Sequence, residues 1–324
     1  MTISFEKLKF TSVLPTSNVQ KNRNQHSCAR PSLSVAVRCS SVLVQNNESD
    51  NSPRSRKIPG PSKSLKENQT PNALLNQRNT VGIIGGVSVF STLIFLEKLV
   101  WWSSRDGQEC IPFVVCSDPA LSTVLPLNIS THPCSFSPIV DNLRRKRNFL
   151  EQSGAGCVVM PCHLSHAWYD AISEDCSKPF FHTGDCVASE LKQAELKPLE
   201  VGGEVKIGVL ATNETLTAGF YQLKLQSQGF EVVLPDEATM NHILLPAIEA
   251  FSRRDVEGAR NLLRVAIQVL LVKGVNIVVL ASDEIQGLLP HGDPLLRKCI
   301  NPMDALARST LRWAKMHRER PVRL

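Results

Sequence analysis

Short apolar runs alternate with amphipathic stretches from about residue 80 to residue 316. Apolar runs rich in β-branched residues predict buried strands at 80–84, 112–116, 157–160, 206–210, 231–234 and 276–280. Apolar residues at helical spacing predict helices between them, for example over 139–152, 218–228 and 256–272. This alternation predicts an α/β fold in which parallel sheets are flanked by helices.

The pattern also contains an internal repeat. Residues 154–162 align without gaps with residues 274–282, and residues 81–84 align with residues 207–210. The repeat predicts two similar Rossmann-like domains, 79–203 and 204–317, with an active-site cleft between them. Ligands of open α/β sheets bind at the carboxyl ends of strands, so Cys162 and Ser282 are expected to face each other across that cleft. One larger doubly wound sheet is the alternative.

The N-terminal 78 residues have a different composition. Residues 1–80 hold twelve Lys and Arg but four Asp and Glu, which leaves the rest of the chain near −2 of the total +6. A Ser- and Arg-rich segment without acidic residues from 10 to 47 is typical of an organellar transit peptide. We therefore expect a chloroplast stromal protein, ahead of a mitochondrial one, with a linker up to residue 78; a plain disordered tail is the alternative. Since the basic charge is confined there, nucleic-acid binding is not expected.

Other local patterns change this picture little. The apolar stretch 81–95 is too short for a membrane span and fits a strand, a glycine turn and a helix start, so no membrane partner is expected. The ten cysteines form no CxxC pair, which indicates a reducing compartment, and Cys157, Cys162, His163 and His166 do not have the spacing of a zinc site. The basic run 144–147 is interpreted as a solvated helix face, and 318–324 as a loose tail.

Several short motifs follow one another in a fixed order. They are the glycine turn 82–86, Met160-Pro161-Cys162 with His166, 208–212 with Thr215, 230–236, 280–285 and 301–304. Together they resemble the aspartate/glutamate racemase superfamily, in its aspartate racemase-like, plastid-type form, over about residues 80–316.

The resemblance implies a cofactor-independent, racemase-like isomerase that acts on an amino acid or another small carboxylate. In that family two facing cysteines exchange a proton at a carbon next to a carboxylate, and neither pyridoxal phosphate nor a metal is used. The resemblance implies catalytic roles for Cys162 and Ser282 and substrate binding by Gly86, Ser88, His163, Leu164, Thr212 and Asp283. It also allows a homodimer.

The sequence departs from the family pattern at the site itself. Ser282 stands where the family has its second cysteine, and His163-Leu164 replaces an Asn-Thr pair. Where aspartate racemases carry a substrate-binding arginine, after residues 117–119, none is found. A serine hydroxyl needs a partner to act as a base, and Asp283 or Glu284 could supply it. Chemistry based on one cysteine, with His163 or His166 as the acid, therefore stays open. So does a catalytically impaired paralogue that binds a small acid or a protein.

Overall fold

The computed structural model describes residues 77–105, 110–124, 137–199 and 201–318. The predicted transit peptide lies outside the described residues, as do the predicted linker up to residue 76 and the tail from residue 319. All described residues belong to one compact unit. The boundaries 79–203 and 204–317 stay predictions.

The first half of the described chain builds one sheet and its helices. Its elements are β1 (Val81–Ile84), α1 (Val89–Arg105), β2 (Phe113–Cys116), a 3₁₀-helix (Pro119–Val124), α2 (Ser137–Gln152), β3 (Cys157–Val159), a 3₁₀-helix (Leu164–Trp168), α3 (Tyr169–Ser173), β4 (Phe180–Phe181) and α4 (Thr183–Gln193).

The second half follows the same plan with extra helices between its second and third strands. Its elements are β5 (Lys206–Leu210), α5 (Asn213–Ala218), α6 (Phe220–Gln226), β6 (Glu231–Val233), α7 (Glu237–Thr239), a π-helix (Met240–Leu244), α8 (Leu245–Ser252), α9 (Val256–Val272), β7 (Ile277–Leu280), a 3₁₀-helix (Pro294–Lys298), β8 (Cys299–Ile300) and α10 (Pro302–Met316).

The strands form two separate parallel sheets with the same topology. Their orders are β2-β1-β3-β4 and β6-β5-β7-β8. The prediction of two similar α/β halves is therefore confirmed, and the single larger sheet is wrong. Because parallel strands end at the same edge, the segments after β1 and β3 meet at one edge, as do those after β5 and β7.

Equivalent glycines let a helix lie close to the central strand of each sheet. A Cβ added to Gly82 in β1 would lie 2.9 Å from Ala155 Cβ and 3.1 Å from Leu150 Cβ at the end of α2. A Cβ on Gly208 in β5 would lie 2.9 Å from Leu270 Cδ1 in α9. The repeat seen in the sequence is thus also a repeat of close packing, and it is tighter at Gly82, where the neighbouring atoms are Cβ atoms, than at Gly208, where the neighbour is the end of a leucine side chain.

The last helix of each half packs against helices of the other half. Helix α10 of the second half packs on α1 and α4, and α4 of the first half packs on α6. Arg308 of α10 donates through Nε to Glu190 Oε1 of α4 at 2.6 Å, and its guanidinium lies 4.6 Å from the centre of the Trp102 ring in α1. One apolar cluster therefore contains buried residues of both halves, such as Ile83 and Val209.

Two features of the secondary structure differ from the sequence predictions, and a third agrees. The strands β4 and β8 were not predicted, because two residues carry no usable periodicity. The predicted helix 218–228 is α6, which is shorter at both ends, and Gly219, whose φ of 69° lies in the left-handed region, separates it from the preceding helix α5. The expected helix start within 81–95 is confirmed by α1, which begins at Val89.

The basic run of α2 is a correction. Lys146 and Arg147 were expected on a solvated helix face, yet they are 5% and 6% exposed. Their positions share the helical spacing of the buried residues Ile139, Leu143 and Leu150, so the run turns two of its cations inward. Arg147 donates to the carbonyl of Ile172, and Lys146 donates to the turn after β1.

Within the described residues, no helix combines the length and the apolar character needed to cross a membrane.

Candidate active site

The turn after β1 brings the backbone against Cys162. A Cβ built on Gly86 would lie 2.3 Å from Cys162 Cβ, 3.0 Å from its Sγ and 2.4 Å from Ser165 Oγ. Only glycine fits at such a close approach. The backbone N–H of Ser88 then donates to Cys162 Sγ at 3.3 Å, and the N–H of Val87 donates to Ser165 Oγ at 3.2 Å. The thiol is 1% exposed and is held by the start of α1.

A buried ammonium group lies behind the same turn. Lys146 Nζ donates to the carbonyl oxygen of Gly85 at 2.8 Å. Burial lowers the pKa of Lys146, while the charges of Asp118, Cys116 and Cys162 act in the opposite direction. The cation of Lys146 and the thiol of Cys162 therefore interact electrostatically. The described hydrogen bonds include none between the two groups.

Asp283 joins the two halves at this point. Its Oδ2 accepts from Ser88 Oγ at 2.6 Å and from Ser91 Oγ at 2.5 Å, and both serines belong to the start of α1 in the first half. Its Oδ1 is buried without a hydrogen-bond partner among the described residues, 3.8 Å from Nε2 of His163. Asp283 follows β7, so this carboxylate crosses the interface between the sheets. The segments after β1, β3 and β7 thus form one connected site.

Ser282 is the pseudo-symmetric counterpart of Cys162, and it is 3% exposed. Its Oγ donates to Oε2 of Glu284 in a short hydrogen bond. Of the two carboxylates considered from the sequence, Glu284 therefore partners the hydroxyl, whereas Asp283 binds the serines of the other half. A hydroxyl paired with a carboxylate can pass a proton without becoming a free alkoxide.

His163 lies between the two halves in a fixed orientation. Its Nδ1 is 2.9 Å from Tyr221 Oη, and its Nε2 is 2.9 Å from Nε2 of Gln286. Burial lowers the pKa of His163, and the carboxylates of Asp283 and Glu284 only partly oppose this. The imidazole is therefore neutral near pH 7, and its ring orients polar neighbours more readily than it supplies a proton.

His166 is part of a buried aromatic cluster beside the site. Its Nε2 is 2.9 Å from the carbonyl oxygen of Met160 and 2.7 Å from Thr183 Oγ1, and its ring lies 4.5 Å from that of His182. Burial is the main cause that holds the pKa of His166 well below its usual value. This environment does not suit it as the replacement acid suggested by the sequence, because the charged form is disfavoured.

The remaining predicted substrate-binding residues have local structural contacts. Leu164 begins a 3₁₀-helix and packs against the core of the first half. Thr212 caps α5, where its Oγ1 accepts from the N–H of Thr215 at 3.4 Å. Among the described hydrogen bonds, neither contacts Cys162, Ser282 or Asp283, and their roles in substrate binding stay predictions.

The sequence did not single out three residues of the site. Ser91 binds Asp283, Gln286 contacts His163, and Lys146 supports the turn at Gly85. For Lys146 a signal existed in the helical spacing of α2. Ser91 and Gln286 have no such signal, because each acts through a contact with the other half of the molecule.

Two parallel sheets of the same topology, with a cysteine and a serine at equivalent strand ends, define a pseudo-symmetric α/β protein. A sequence model of the Asp/Glu/Hydantoin racemase family matches residues 84–310. The chain belongs to this family, because the match covers more than half of its length.

The relatives are distant. An aspartate racemase homologue from Pyrococcus horikoshii OT3 is 21% identical, with a TM-score of 0.61 over 73% of this chain and 99% of that one. Picrophilus torridus aspartate racemase is 23% identical, with a TM-score of 0.53 over 73% and 94%. At these identities the likeness is one of fold. The broad specificity amino-acid racemase RacX of Bacillus subtilis (strain 168) is 23% identical over 162 residues, which span 48% of this chain and 64% of RacX.

Proposed function

We propose that this protein is a cofactor-independent isomerase that moves a proton on and off a carbon next to a carboxylate. Cys162 acts at one face of that carbon and Ser282 with Glu284 at the other. The observation that carries the proposal is a thiol and a carboxylate-paired hydroxyl at equivalent strand ends, connected through Ser88 and Asp283. The aspartate and amino-acid racemase names of the relatives point to an amino acid as substrate.

The proton balance follows from these groups. A Cys162 thiolate takes the α-proton and becomes a thiol, which leaves a carbanion next to the carboxylate. A proton held by Glu284 then passes through the Ser282 hydroxyl to the opposite face, and Glu284 becomes a carboxylate. In the reverse direction Glu284 receives the proton through Ser282, and the Cys162 thiol returns one. These steps use neither a metal nor pyridoxal phosphate.

The buried site implies an opening step. Cys162 and Ser282 are 1% and 3% exposed, so a substrate reaches them only when the two halves separate locally. The hydrogen bonds between Asp283 and the two serines must break during that movement. Closure then excludes water, which favours charge stabilisation by the enclosed groups.

Solvent exchange at the α-carbon tests the proposal. The full chain would be incubated in D₂O with the separate enantiomers of alanine, lysine, aspartate and glutamate, and deuterium incorporation would be followed by NMR. We expect incorporation that is lost in Cys162→Ala and kept in Cys110→Ala, since Cys110 is exposed and outside the site. Equal incorporation in both variants would contradict the assignment of Cys162.

A second candidate is a paralogue that binds a small acid, or a protein partner, through the same cleft without turnover. The contact that favours it is the carboxylate of Asp283, which already holds two hydroxyls at the start of α1. Saturable binding of an amino acid without deuterium incorporation from any of the eight substrates would support this candidate over the isomerase.

We also propose plastid import and homodimer formation, both of which rest on the sequence. A fluorescent fusion of residues 1–78 tests plastid import, because a cytosolic or mitochondrial signal would contradict that proposal.

Sedimentation of the chain from residue 79 onward tests homodimer formation, because a monomer at all concentrations would contradict that proposal.

A further inference from the structure

The start of α1 has the features of a carboxylate-binding cradle. The helix has 17 residues and no acidic residue in its first turn, so the positive end of its dipole favours a negative charge there. Ser88 Oγ accepts from the N–H of Ser91 at 3.3 Å, which directs the Ser88 proton outward. Both Ser88 and Ser91 then donate to one carboxylate oxygen.

The carboxylate in this cradle belongs to the protein itself. We propose that Asp283 fills the cradle with its own carboxylate whenever the site is closed, and that it thereby restricts the site to substrates carrying a single carboxylate. The restriction on substrates rests on the proposed function. The binding of a carboxylate in the cradle does not, and it can be measured without turnover.

A purely structural role explains the contact less well. Asp283 comes from the opposite half and directly follows Ser282, so it lies at the site and not in a remote interface. One of its oxygens accepts two hydrogen bonds, whereas the other, Oδ1, is buried without a partner among the described residues. A buried carboxylate oxygen without a donor is costly. Oδ1 is therefore available to an ammonium group, such as the amino group of a substrate.

The consequence for specificity follows from charge. A dicarboxylate bound beside Cys162 would bring its second carboxylate near the carboxylate of Asp283, where like charges repel. The described hydrogen bonds and ion pairs of Asp283, Ser282 and His163 include no arginine that would compensate. A substrate with one carboxylate and one ammonium group avoids this repulsion and can use Oδ1.

Chemical rescue tests the cradle directly. Asp283→Ala removes one carboxylate group, and formate has the size and charge of the group removed. We expect formate to raise the melting temperature of this variant saturably, and more than chloride at equal ionic strength. Adding Ser88→Ala and Ser91→Ala should abolish the response, as should Asp283→Asn, whose amide fills the space. Glu249→Ala is the control, because its carboxylate is exposed on α8 and its loss should give no saturable response to formate.

Calorimetry with succinate and propionate tests the specificity. The wild type should bind propionate more tightly than succinate, and Asp283→Ala should bind succinate about tenfold more tightly than the wild type, the factor for one regained charged hydrogen bond. If Asp283→Ala does not fold, Asp283→Asn should still lose the preference for propionate. A folded Asp283→Ala that responds to formate no more than the wild type would overturn the cradle. Formate rescue in a protein that shows no deuterium exchange would instead reject only the proposed function.

Discussion

The two halves share one plan, yet they differ at the residues nearest the chemistry. Cys162 follows β3 and receives a backbone N–H, whereas Ser282 follows β7 and donates to a carboxylate. The helices beneath them differ in the same sense. In α9 the buried face is apolar throughout, with Ala266 and Ile267 near its middle. The equivalent buried positions of α2 hold Lys146 and Arg147.

This difference teaches that a duplicated fold does not require duplicated electrostatics. The first half places a buried cation near a thiol that accepts one backbone N–H, which suits a group that carries negative charge. The second half gives a hydroxyl a carboxylate acceptor, which suits proton relay. The proposed catalytic pair is therefore unequal by environment as well as by residue type.

Exchanging the two groups should have the largest effect. Cys162→Ser should reduce α-proton exchange by about 10²–10⁴-fold, the usual contribution of a positioned base, because a serine there has no carboxylate partner. Ser282→Cys should keep measurable exchange. The double variant Cys162→Ser with Ser282→Cys should stay inactive, since Glu284 would oppose a thiolate at position 282. Full activity in the double variant would show that the two sites are interchangeable.

The buried histidines should make acid destabilise the protein. Burial lowers the pKa of His182 from 6.5 to about 4, so the unfolded chain binds more protons between these values. The stabilising contribution is complete above pH 6.5 and is lost as pH falls toward 4, which amounts to about 3 kcal/mol. Neutral His182 also caps α4, where its Nδ1 accepts from the N–H of Gly184 at 3.0 Å.

Urea unfolding between pH 4 and 7.5 measures this contribution. His182→Asn keeps a capping acceptor but cannot gain a proton, so its unfolding free energy should fall less over that range than in the wild type. His242→Gln, which changes an exposed histidine of the second half, should follow the wild type. Identical pH profiles for all three proteins would refute the prediction.

Removal of the buried cation should lower both activity and stability. Lys146→Met keeps much of the side-chain volume but leaves the buried carbonyl of Gly85 without its donor, which should cost about 1–3 kcal/mol of unfolding free energy. We expect exchange to fall by about tenfold, because the positive charge near Cys162 is lost. The comparison variant Arg147→Met should change exchange less, since Arg147 contacts the carbonyl of Ile172 and not the turn at Gly85. Unchanged α-proton exchange in Lys146→Met would show that Lys146 does not contribute to the reaction.

The smallest effect is expected at Thr212, the counterpart of Gly86 in the second half. Thr212→Ala removes the side-chain cap of α5, which should lower the free energy of unfolding by about 1 kcal/mol in urea titrations. Thr212→Ser keeps the hydroxyl and should be near wild type. If Thr212→Ala also changes the affinity for an amino acid, the predicted role of Thr212 in substrate binding gains support.

Much of the fold could be predicted from the sequence, because the repeat appears in the strands themselves. The alignment of 154–162 with 274–282 places Cys162 and Ser282 at equivalent strand ends, and it extends to the buried positions of α2 and α9. The packing of α4 and α10 against the opposite halves could not be predicted, since periodicity identifies an apolar helix face but not the surface that it packs against.

The site could be predicted only in part, for a physical reason. Cys162, His163 and Asp283 lie in motifs close to strand ends, where position alone suggests a role. Which carboxylate partners Ser282 depends on side-chain directions of adjacent residues, and the bond between Asp283 and Ser91 joins residues 192 positions apart. The inward direction of Lys146 was predictable from helical spacing, but its basic neighbours suggested a solvated face.

The most direct test of the unequal pair is exchange measured separately from each enantiomer of one substrate, in wild type and in Glu284→Gln. The account predicts that Glu284→Gln slows proton removal from one enantiomer at least about tenfold more than from the other, because only one face depends on the relay through Ser282. Equal slowing of both enantiomers, or no slowing of either, would contradict the assignment of Cys162 and Ser282 with Glu284 to opposite faces.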